Sequence, residues 1–440
     1  MPFNYVTVKA SSDLFTPATR AFGDILVIGK GAIGSAGSSA QSFTYPSEAV
    51  KAYPPGATKL TDKVEPPTKT AVVAAKCPVG TEVAIGKGEA AVEVRTITAV
   101  TEAGGKFTLT LDADLKIAHA VDDPVVGQGL SDLAAAISLA FRQTPPPTKV
   151  WGIEVAFGNP VWSTALTAAE DVPAQILVLA NTPLSEQPSS KHPVELLAQH
   201  VTEVSNTGGD GKERIGVAML DQTLTQAKQI VLNKGPIHDN RMVLVAAHKS
   251  AKGDVAAAVA GVIAGHEPHI SLLLKSVSLE MPDLFTATEI QTYYDNSINW
   301  VTSPVMLPGH GLYLGEGLTA SPSGNKKYID IVRTLDDISF RIKAALIEAV
   351  GDLRIDRPGL RTVVTLVQSV LSPQVNRGVI EDYTVHIPLL VLLERERATL
   401  SADELKQIGN GRSGRSVDME VSVVYAGVIH QIAVKLVLKG

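Results

Sequence analysis

Apolar and polar residues alternate most regularly between residues 417 and 438, near the end of the 440-residue chain. Successive side chains of a strand point to opposite faces, so a period of two predicts extended strands. The first predicted strand has one apolar face, formed by Val417, Met419, Val421, Val423 and Tyr425. The second follows Ala426 and Gly427, and its apolar face holds Val428, Ile432, Val434, Leu436 and Leu438. A long apolar strand near a chain end needs a sheet edge to pair with, in its own domain or in a neighbour.

Short apolar runs alternate with helical patterns through the middle of the chain. The first run, residues 24–29, reads DILVIG and predicts a buried strand. Later strands are predicted at residues 150–157, 175–180, 215–220 and 242–247, with helices at 131–143, 193–205, 223–234 and 253–265. Strands separated by single helices predict right-handed crossovers and a mainly parallel sheet. This α/β core is predicted to span residues 21–57 and 128–285.

Two further regions have different patterns. Residues 58–127 contain short strands separated by turns such as CPVG and EAGG, which predicts a small β domain inserted into the core. Residues 286–425 are predicted to form a C-terminal α+β domain with an antiparallel sheet. Its helices are predicted at 287–296, 327–350 and 360–371, and its earlier strands at 299–306, 311–315 and 383–394. Residues 1–20 and 426–440 are predicted to be extended terminal segments, and the strand in each needs a sheet edge to pair with.

The composition excludes several classes of function. The chain has 39 basic and 45 acidic residues and a net charge of −6, without a local basic patch, so no nucleic-acid partner is expected. The single cysteine, Cys77, excludes an internal disulfide framework. The N-terminus lacks the layout of a signal peptide, and no apolar run reaches the roughly 20 residues that cross a bilayer. The protein is expected to be soluble when made and not to insert into a membrane.

Motifs for catalysis and cofactor binding are weak. Residues 29–34 read GKGAIG, a G-x-G-x-x-G after a strand, but the following SAGSSAQSFTYP does not predict the helix that a dinucleotide site needs. Pro268 stands between His266 and His269 and prevents a continuous helix that would aim both at one metal. The sequence predicts no catalytic residue, no cofactor and no metal site, and hence no enzyme. An α/β dinucleotide-binding oxidoreductase stays open as an alternative.

The order of several segments carries a resemblance to a known family. The segments are FGDILVIGKGAIGS with PSEAVKAY, then DVAAAVAGVIAGHEPHISLLLKSVSL, TATEIQTYYDNSINWV, GHGLYLGEGLT and KKYIDIVRTLDDISFRIKAAL. In this order they resemble the contractile tail sheath proteins, which form the outer sleeve of myovirus-type phage tails and related injection machines. The resemblance covers most of the chain outside residues 58–127. The chain departs from the commonest pattern in its short N-terminal arm and its modest insertion.

The resemblance implies a structural function. Subunits would form hexameric rings that stack helically around an inner tube, and contraction would drive the tube through the envelope of a target cell. The partners it implies are other copies of the chain, the tube protein, and baseplate and tail terminator proteins. The expected location is the virion tail, after assembly in the host cytoplasm. A non-contracting tail or baseplate protein stays open as a second alternative.

The resemblance also implies that terminal arms add strands to the C-terminal sheet of neighbouring subunits. The arm residues are Phe3, Tyr5, Val6 and Val8 at one end and Val428, Ile432, Val434, Leu436 and Leu438 at the other. The receiving sheet is expected to contain Tyr383, Val385, Ile387, Val417, Met419, Val421 and Val423. Hinges are expected at residues 11–20 and near Ala426 and Gly427.

The contact with the inner tube is expected to use charges, because an interface that has to release cannot be a large dry apolar patch. The candidate residues are arginines in or beside the C-terminal domain: Arg354, Arg357, Arg361, Arg412 and Arg415. For each of the five arginines, the alternative to a tube contact is an ordinary solvated side chain.

Overall fold

A computed structural model describes residues 22–33, 37–77, 79–88, 91–156, 160–186, 191–206, 211–307, 311–321 and 326–428. The chain divides between Val332 and Arg333 into two compact units. The first unit runs from Phe22 to Val332, and the described part of the second ends at Val428. The arm predicted at residues 1–20 and the arm residues Ile432, Val434, Leu436 and Leu438 lie outside the described residues.

The described strands of the first unit build two sheets. In chain order they are β1 Ile25–Lys30, β2 Gln41–Phe43, β3 Ala57–Lys59, β4 Thr68–Val73, β5 Glu82–Ile85, β6 Glu93–Ala103, β7 Lys106–Leu115, β8 Pro124–Gly127, β9 Val150–Val155, β10 Ile176–Leu179, β11 Ile215–Met219, β12 Met242–Ala246, β13 Asn299–Thr302 and β14 Tyr313–Leu314. The helices are α1 Pro46–Ala52, α2 Asp132–Phe141, α3 Trp162–Ala169, α4 Pro193–Asn206, α5 Gln226–Val231, α6 Val255–Gly265 and α7 Ala287–Asp295.

The central sheet has the strand order β14-β13-β12-β11-β10-β1-β9-β2. Pairing is parallel from β9 through β13, and β2 and β14 are antiparallel at the two edges. Alternate residues of β1 enter different cores: Ile25 packs with α2 and α6, whereas Leu26 packs with α3 and α4. Helices therefore cover both faces, as the run of apolar residues in β1 predicts for a parallel sheet.

The small β domain is a closed barrel of six strands in the order β3-β8-β5-β6-β7-β4. The two end strands are joined by hydrogen bonds from Thr61 N to Val72 O (2.9 Å) and from Ala74 N to Lys59 O (3.1 Å). Closure removes the unpaired edges that an open sheet of this size would expose. The barrel occupies the stretch in which the sequence predicts an insertion.

The C-terminal boundary of the first unit differs from the prediction at residues 285 and 286. Strand β13 pairs in parallel with β12, so residues after 286 continue the central sheet. The buried side chain of Asn299 fixes this junction: its amide nitrogen donates to Leu244 O (3.0 Å) and Leu318 O (2.8 Å). The division falls instead within helix α8 Ile329–Ile347.

The second unit combines helices with a small antiparallel sheet. After α8 come α9 Arg357–Asn376, β15 Ile380–His386, α10 Pro388–Glu394, α11 Ala402–Gly414 and β16 Glu420–Tyr425. The strand predicted at residues 383–394 is thus half strand and half helix, because Pro388 takes the first position of α10, where its fixed φ favours a helix start. In the described part of the chain, no helix is both long and apolar enough to cross a bilayer.

Candidate functional site

Strands β15 and β16 form a sheet that, among the described residues, has no third strand. They pair antiparallel from Ile380 opposite Tyr425 to His386 opposite Glu420, with a bulge between Ile380 and Asp382. A two-stranded sheet has two edges and is only marginally stable by itself. Both edges are suited to pairing with a further strand, since edge strands present main-chain donors and acceptors.

The face of this sheet that packs on the helices is only half covered. Tyr383, Val385, Val421 and Val423 touch a small core whose buried members are Ile338, Val367, Leu371, Val379 and Ile380. No residue of β16 is buried, and Ile380 is the one buried residue of β15. Half-exposed valines on the core side of a sheet indicate a surface that further apolar side chains can cover.

Four of the seven residues predicted for the receiving sheet lie in its strands: Tyr383, Val385, Val421 and Val423. Val417 and Met419 precede β16, although Met419 still packs against the same core. Ile387 lies outside the strand, because the chain turns into α10 there; it occupies the N-cap position of that helix without a side-chain capping hydrogen bond, and its side chain is buried. Val428 is exposed after the end of β16.

A groove of about 600 Å³ lies between the start of α9, α10 and α11. Its apolar lining is Leu392, Leu393, Leu400, Leu405 and Ile408. Four arginines also line it: Arg357, Arg395, Arg397 and Arg412, with Asp356 as the acidic residue. The groove therefore combines an apolar floor with an excess of positive charge.

The five predicted arginines are placed differently. Arg357 donates to Leu393 O and Arg395 O, and Arg412 donates to Ile355 O (3.2 Å), so these two bind carbonyl groups, and neither forms an ion pair with a carboxylate among the described residues. Arg361 forms an ion pair with Glu394 (2.9 Å). Arg354 lies outside the groove lining, as does Arg415, which ends α11 in a left-handed conformation.

Two groove arginines were missed by the sequence analysis because ERER at residues 394–397 has the pattern of a solvated charge run. Arg395 instead pairs with Glu404 of α11 (2.5 Å) and donates to Thr399 O (2.8 Å), and Arg397 lines the same groove. The apolar run PLLVLL at residues 388–393 could have indicated this position, because it forms the packed helix α10, at whose end Arg395 and Arg397 lie.

Two solved structures have the same fold along nearly the whole chain. The anti-feeding prophage (AFP) baseplate in its contracted state matches with a TM-score of 0.57 and 13% identity, covering 100% of this chain and 99% of that chain. The AFP helical sheath in its contracted state matches with a TM-score of 0.55 and 12% identity, covering 99% and 98%. The chain has the fold of a contractile sheath protein. No protein-family model and no curated protein sequence matches it.

Within this sheath fold, the described part of the glycine-rich loop after β1 does not have the geometry of a phosphate-binding loop. The carboxylate of Glu154 accepts a hydrogen bond from Ala32 N (2.8 Å) and fills the space beside Gly31, where a Cβ would collide with it. The next regular element is β2, and the first described helix after the loop begins at Pro46. A dinucleotide site needs free amide groups at a helix start, and no helix starts among the described residues of this loop.

The carboxyl edge of the central sheet also disfavours a nucleotide. A cavity of about 440 Å³ there is lined by three carboxyl groups, Asp132, Asp221 and Asp254. Asp254 caps α6 by accepting from Ala257 N (3.0 Å) and also accepts from Asn181 N (2.7 Å). An acidic cavity repels phosphate groups, so the oxidoreductase alternative is not favoured.

Proposed function

We propose that this protein is the structural subunit of a contractile sheath, which polymerises helically around an inner tube and contracts to drive the tube through a target envelope. The observation that carries the proposal is the incomplete sheet of β15 and β16, whose core side is half exposed. Its support is the fold shared with the AFP helical sheath. A particle tail is the corresponding location, with assembly in the cytoplasm of the producing cell.

Assembly would proceed by strand addition. The terminal arms of neighbouring subunits, residues 1–9 and 428–438, would pair with the free edges of β15 and β16 through main-chain hydrogen bonds. Their apolar faces would cover Val421 and Val423 and complete the small core on α8 and α9. A mesh of this kind keeps subunits connected while their lattice changes.

Tube contact would use the arginine groove. Arg357 and Arg412 are the best placed of the predicted residues, because they line the groove and have no carboxylate partner in the part of the chain that the structure describes. Exposed charges give an interface that forms with a specific register and releases without uncovering a large apolar surface. Arg361, which pairs with Glu394, would contribute less.

Contraction would move subunits as largely rigid bodies hinged at residues 11–20 and near Ala426 and Gly427. New lateral contacts between subunits would provide the driving force. At about 25 cal/mol per Å² of apolar area, a few hundred Å² gained per subunit adds up over many rings. Baseplate and terminator proteins would bound the polymer at its two ends.

Negative-stain electron microscopy of the purified full-length protein tests the proposal. We expect long tubes or contracted-like polysheaths, independent of added NAD, and loss of tubes with a folded subunit after deletion of residues 1–9 or 428–440. Circular dichroism checks that the truncated subunits stay folded. Small closed oligomers stabilised by NAD would overturn the proposal, and tubes restricted to one lattice would indicate a non-contracting tail protein.

A further inference from the structure

One wall of the six-stranded barrel has apolar side chains on its outer side. They form a row across four neighbouring strands: Ala57, Val126, Ala84 and Val94. The residues next to them along the strands, such as Val83 and Val125, fill the barrel core, so the row faces outward. Val94 and Val126 are exposed, and Ala57 is exposed beside them. We call these four residues the outer row.

The surroundings of the outer row are polar. The strand positions two residues further along include the exposed residues Glu82 and Gln128, and Gln128 N donates to Glu82 O (2.8 Å). The outward pairs on the β4–β7 wall are Thr70 with Thr110 and Val72 with Thr108. Threonine suits a strand that faces water, whereas an apolar centre with a polar rim is typical of a protein–protein interface.

A loop of the central sheet has a second exposed apolar surface. It connects β13 to β14, and Leu307 N donates to Pro304 O (3.1 Å), which closes a turn with Val305 and Met306 at its two central positions. Val305 is fully exposed and Met306 is 96% exposed. Single exposed apolar residues are common, but two adjacent ones without any cover indicate a surface for a partner. Methionine is flexible and adapts its shape to the surface that it contacts.

The turn and the barrel lie at different places along the carboxyl edge of the central sheet. The barrel is attached just after β1, where Ile33 packs into the barrel core and its backbone nitrogen donates to Pro55 O (3.1 Å). The loop with the turn follows β13, and three strands separate β13 from β1. Four strand spacings of about 4.8 Å place these two strands about 19 Å apart. The full exposure of Val305 shows that the turn does not reach the barrel of its own chain.

Resting on the proposed function, we propose that Val305 and Met306 of one copy pack on the outer row of the barrel of a neighbouring copy. The occupant is a second copy because the chain offers an apolar turn and an apolar wall that do not meet within it. The barrel is attached near the β2 edge of the central sheet, and the turn lies near the β14 edge. Copies placed side by side, with the β2 edge of one toward the β14 edge of the next, bring the two surfaces together.

This contact uses a different surface on each of the two copies. After it forms, the first copy still has a free turn and the second still has a free outer row. Such a heterologous contact continues from copy to copy, and it gives a closed ring or an open helix according to the rotation between neighbours. It therefore supplies a lateral connection of the kind that a helical sheath needs.

Polar substitutions test the contact in the full-length protein. Val305→Ser with Met306→Ser, and separately Val94→Thr with Val126→Thr, should each raise the critical concentration for polymerisation about tenfold or more, because apolar burial between copies is lost. Sedimentation of the polymer measures this concentration. Urea unfolding followed by tryptophan fluorescence should show unchanged stability of the first unit, since all four side chains are exposed in the subunit.

The matched control changes two other exposed valines of the first unit. Val161→Thr with Val231→Thr lies outside the proposed contact and should leave the critical concentration unchanged. An equal rise in this control would show that polymerisation responds to surface polarity in general, which would overturn the inference. Polymerisation at the wild-type concentration by both test variants would also overturn it.

Cysteine cross-linking shows whether the contact lies between copies. The single native cysteine, Cys77, is buried, so introduced thiols react without competition. Met306→Cys with Val94→Cys in one chain should give a ladder of covalent oligomers after oxidation of the assembled protein, whereas each single substitution gives dimers at most. A disulfide confined to the monomer would place the turn on its own barrel and contradict the inference. So would the lack of a ladder from every pairing of position 305 or 306 with position 94 or 126.

The two proposals fail differently. A wild-type protein that forms no tubes contradicts the proposed function. Tubes that are lost on deletion of residues 428–440, but that tolerate the substitutions in both the turn and the outer row, contradict only the contact between the turn and the barrel.

Discussion

The two units of the molecule build sheets to different degrees of completion. In the first unit every residue of β10, β11 and β12 is buried, because helices cover both faces and strands flank both edges. In the second unit β16 has no buried residue and the described sheet stops at two strands. The first sheet is finished within one chain, whereas the second is suited to being finished by other copies.

This difference separates stability from assembly. Burial of apolar area is the main favourable term in folding, so the first unit should hold its fold without neighbours. In the isolated subunit the second unit leaves part of its apolar area exposed, and the proposed contacts between subunits would bury that area. Substitutions in the two sheets should therefore affect different measurements.

The largest loss of stability is expected at Arg214, inside the first unit. Its guanidinium is 1% exposed and donates to Ala169 O (2.9 Å) at the end of α3, to Lys212 O (3.1 Å) and to His200 Nε2 (3.3 Å). Arg214→Met would remove these hydrogen bonds from the buried guanidinium, among them the one to the buried His200, which costs about 3–4 kcal/mol in the free energy of unfolding. Urea unfolding followed by tryptophan fluorescence measures it.

That measurement is specific to the first unit, because Trp151, Trp162 and Trp300 all belong to it. Lys234→Met, which removes an exposed cation from the same unit, is the matched control and should change stability by less than about 0.5 kcal/mol. An Arg214→Met protein as stable as the control would show that the first unit does not depend on this buried network.

A pair of identical substitutions compares the units directly. Val178→Ala in β10 removes two buried methyl groups and leaves a cavity, and should cost about 2–3 kcal/mol. Val423→Ala in half-exposed β16 should cost less than about 1 kcal/mol in the isolated subunit. Urea unfolding by tryptophan fluorescence for Val178 and by far-ultraviolet circular dichroism for Val423 gives the two values.

The effects of these two substitutions on polymerisation should rank in the opposite order to their effects on stability. Val423→Ala should raise the critical concentration about fivefold, as 1 kcal/mol of lost contact implies, while Val178→Ala should leave it unchanged at temperatures where the subunit is folded. Equal effects of both valines on unfolding, or none of Val423 on polymerisation, would contradict the distinction between the two sheets.

The sequence predicted the central sheet of the first unit better than the two-stranded sheet of the second unit. The run DILVIG and the strand-helix alternation after Ser131 specify a parallel sheet, because strands buried on both faces are apolar at every position. The exception is β13, where the buried Asn299 joins residues after 286 to the central sheet through hydrogen bonds that no periodicity predicts.

The second unit was harder to predict because its local patterns are ambiguous. The segment forming α11 contains Gly409, Gly411 and Gly414, which are poor helix formers, so no helix was predicted there although Ser401 and Glu404 form a capping box. The apolar run in α10 fits a strand or a helix equally. The arginine groove depends on how these two helices pack, so its members Arg395 and Arg397 could not be inferred from spacing alone.

A stability effect that needs no substitution is the pH dependence that His200 gives the first unit. Burial, followed by the nearby charge of Arg214, lowers the pKa of His200 from its ordinary value of 6.5 to about 4. Below pH 6.5 the unfolded chain binds a proton at His200 that the folded protein does not bind, so stability falls as the pH decreases toward 4. Between pH 7.5 and 5 this amounts to about 2 kcal/mol.

His200→Gln is the matched control for this pH dependence, because an amide oxygen can still accept from Arg214 but does not titrate. Urea unfolding followed by tryptophan fluorescence measures the free energy of unfolding at each pH. Between pH 7.5 and 5 this free energy should fall by about 2 kcal/mol more in the wild type than in the variant. An equal fall in the two proteins would mean that His200 is not held neutral by burial. The burial that stabilises the central sheet of the first unit would then not extend to the polar contact between His200 and Arg214.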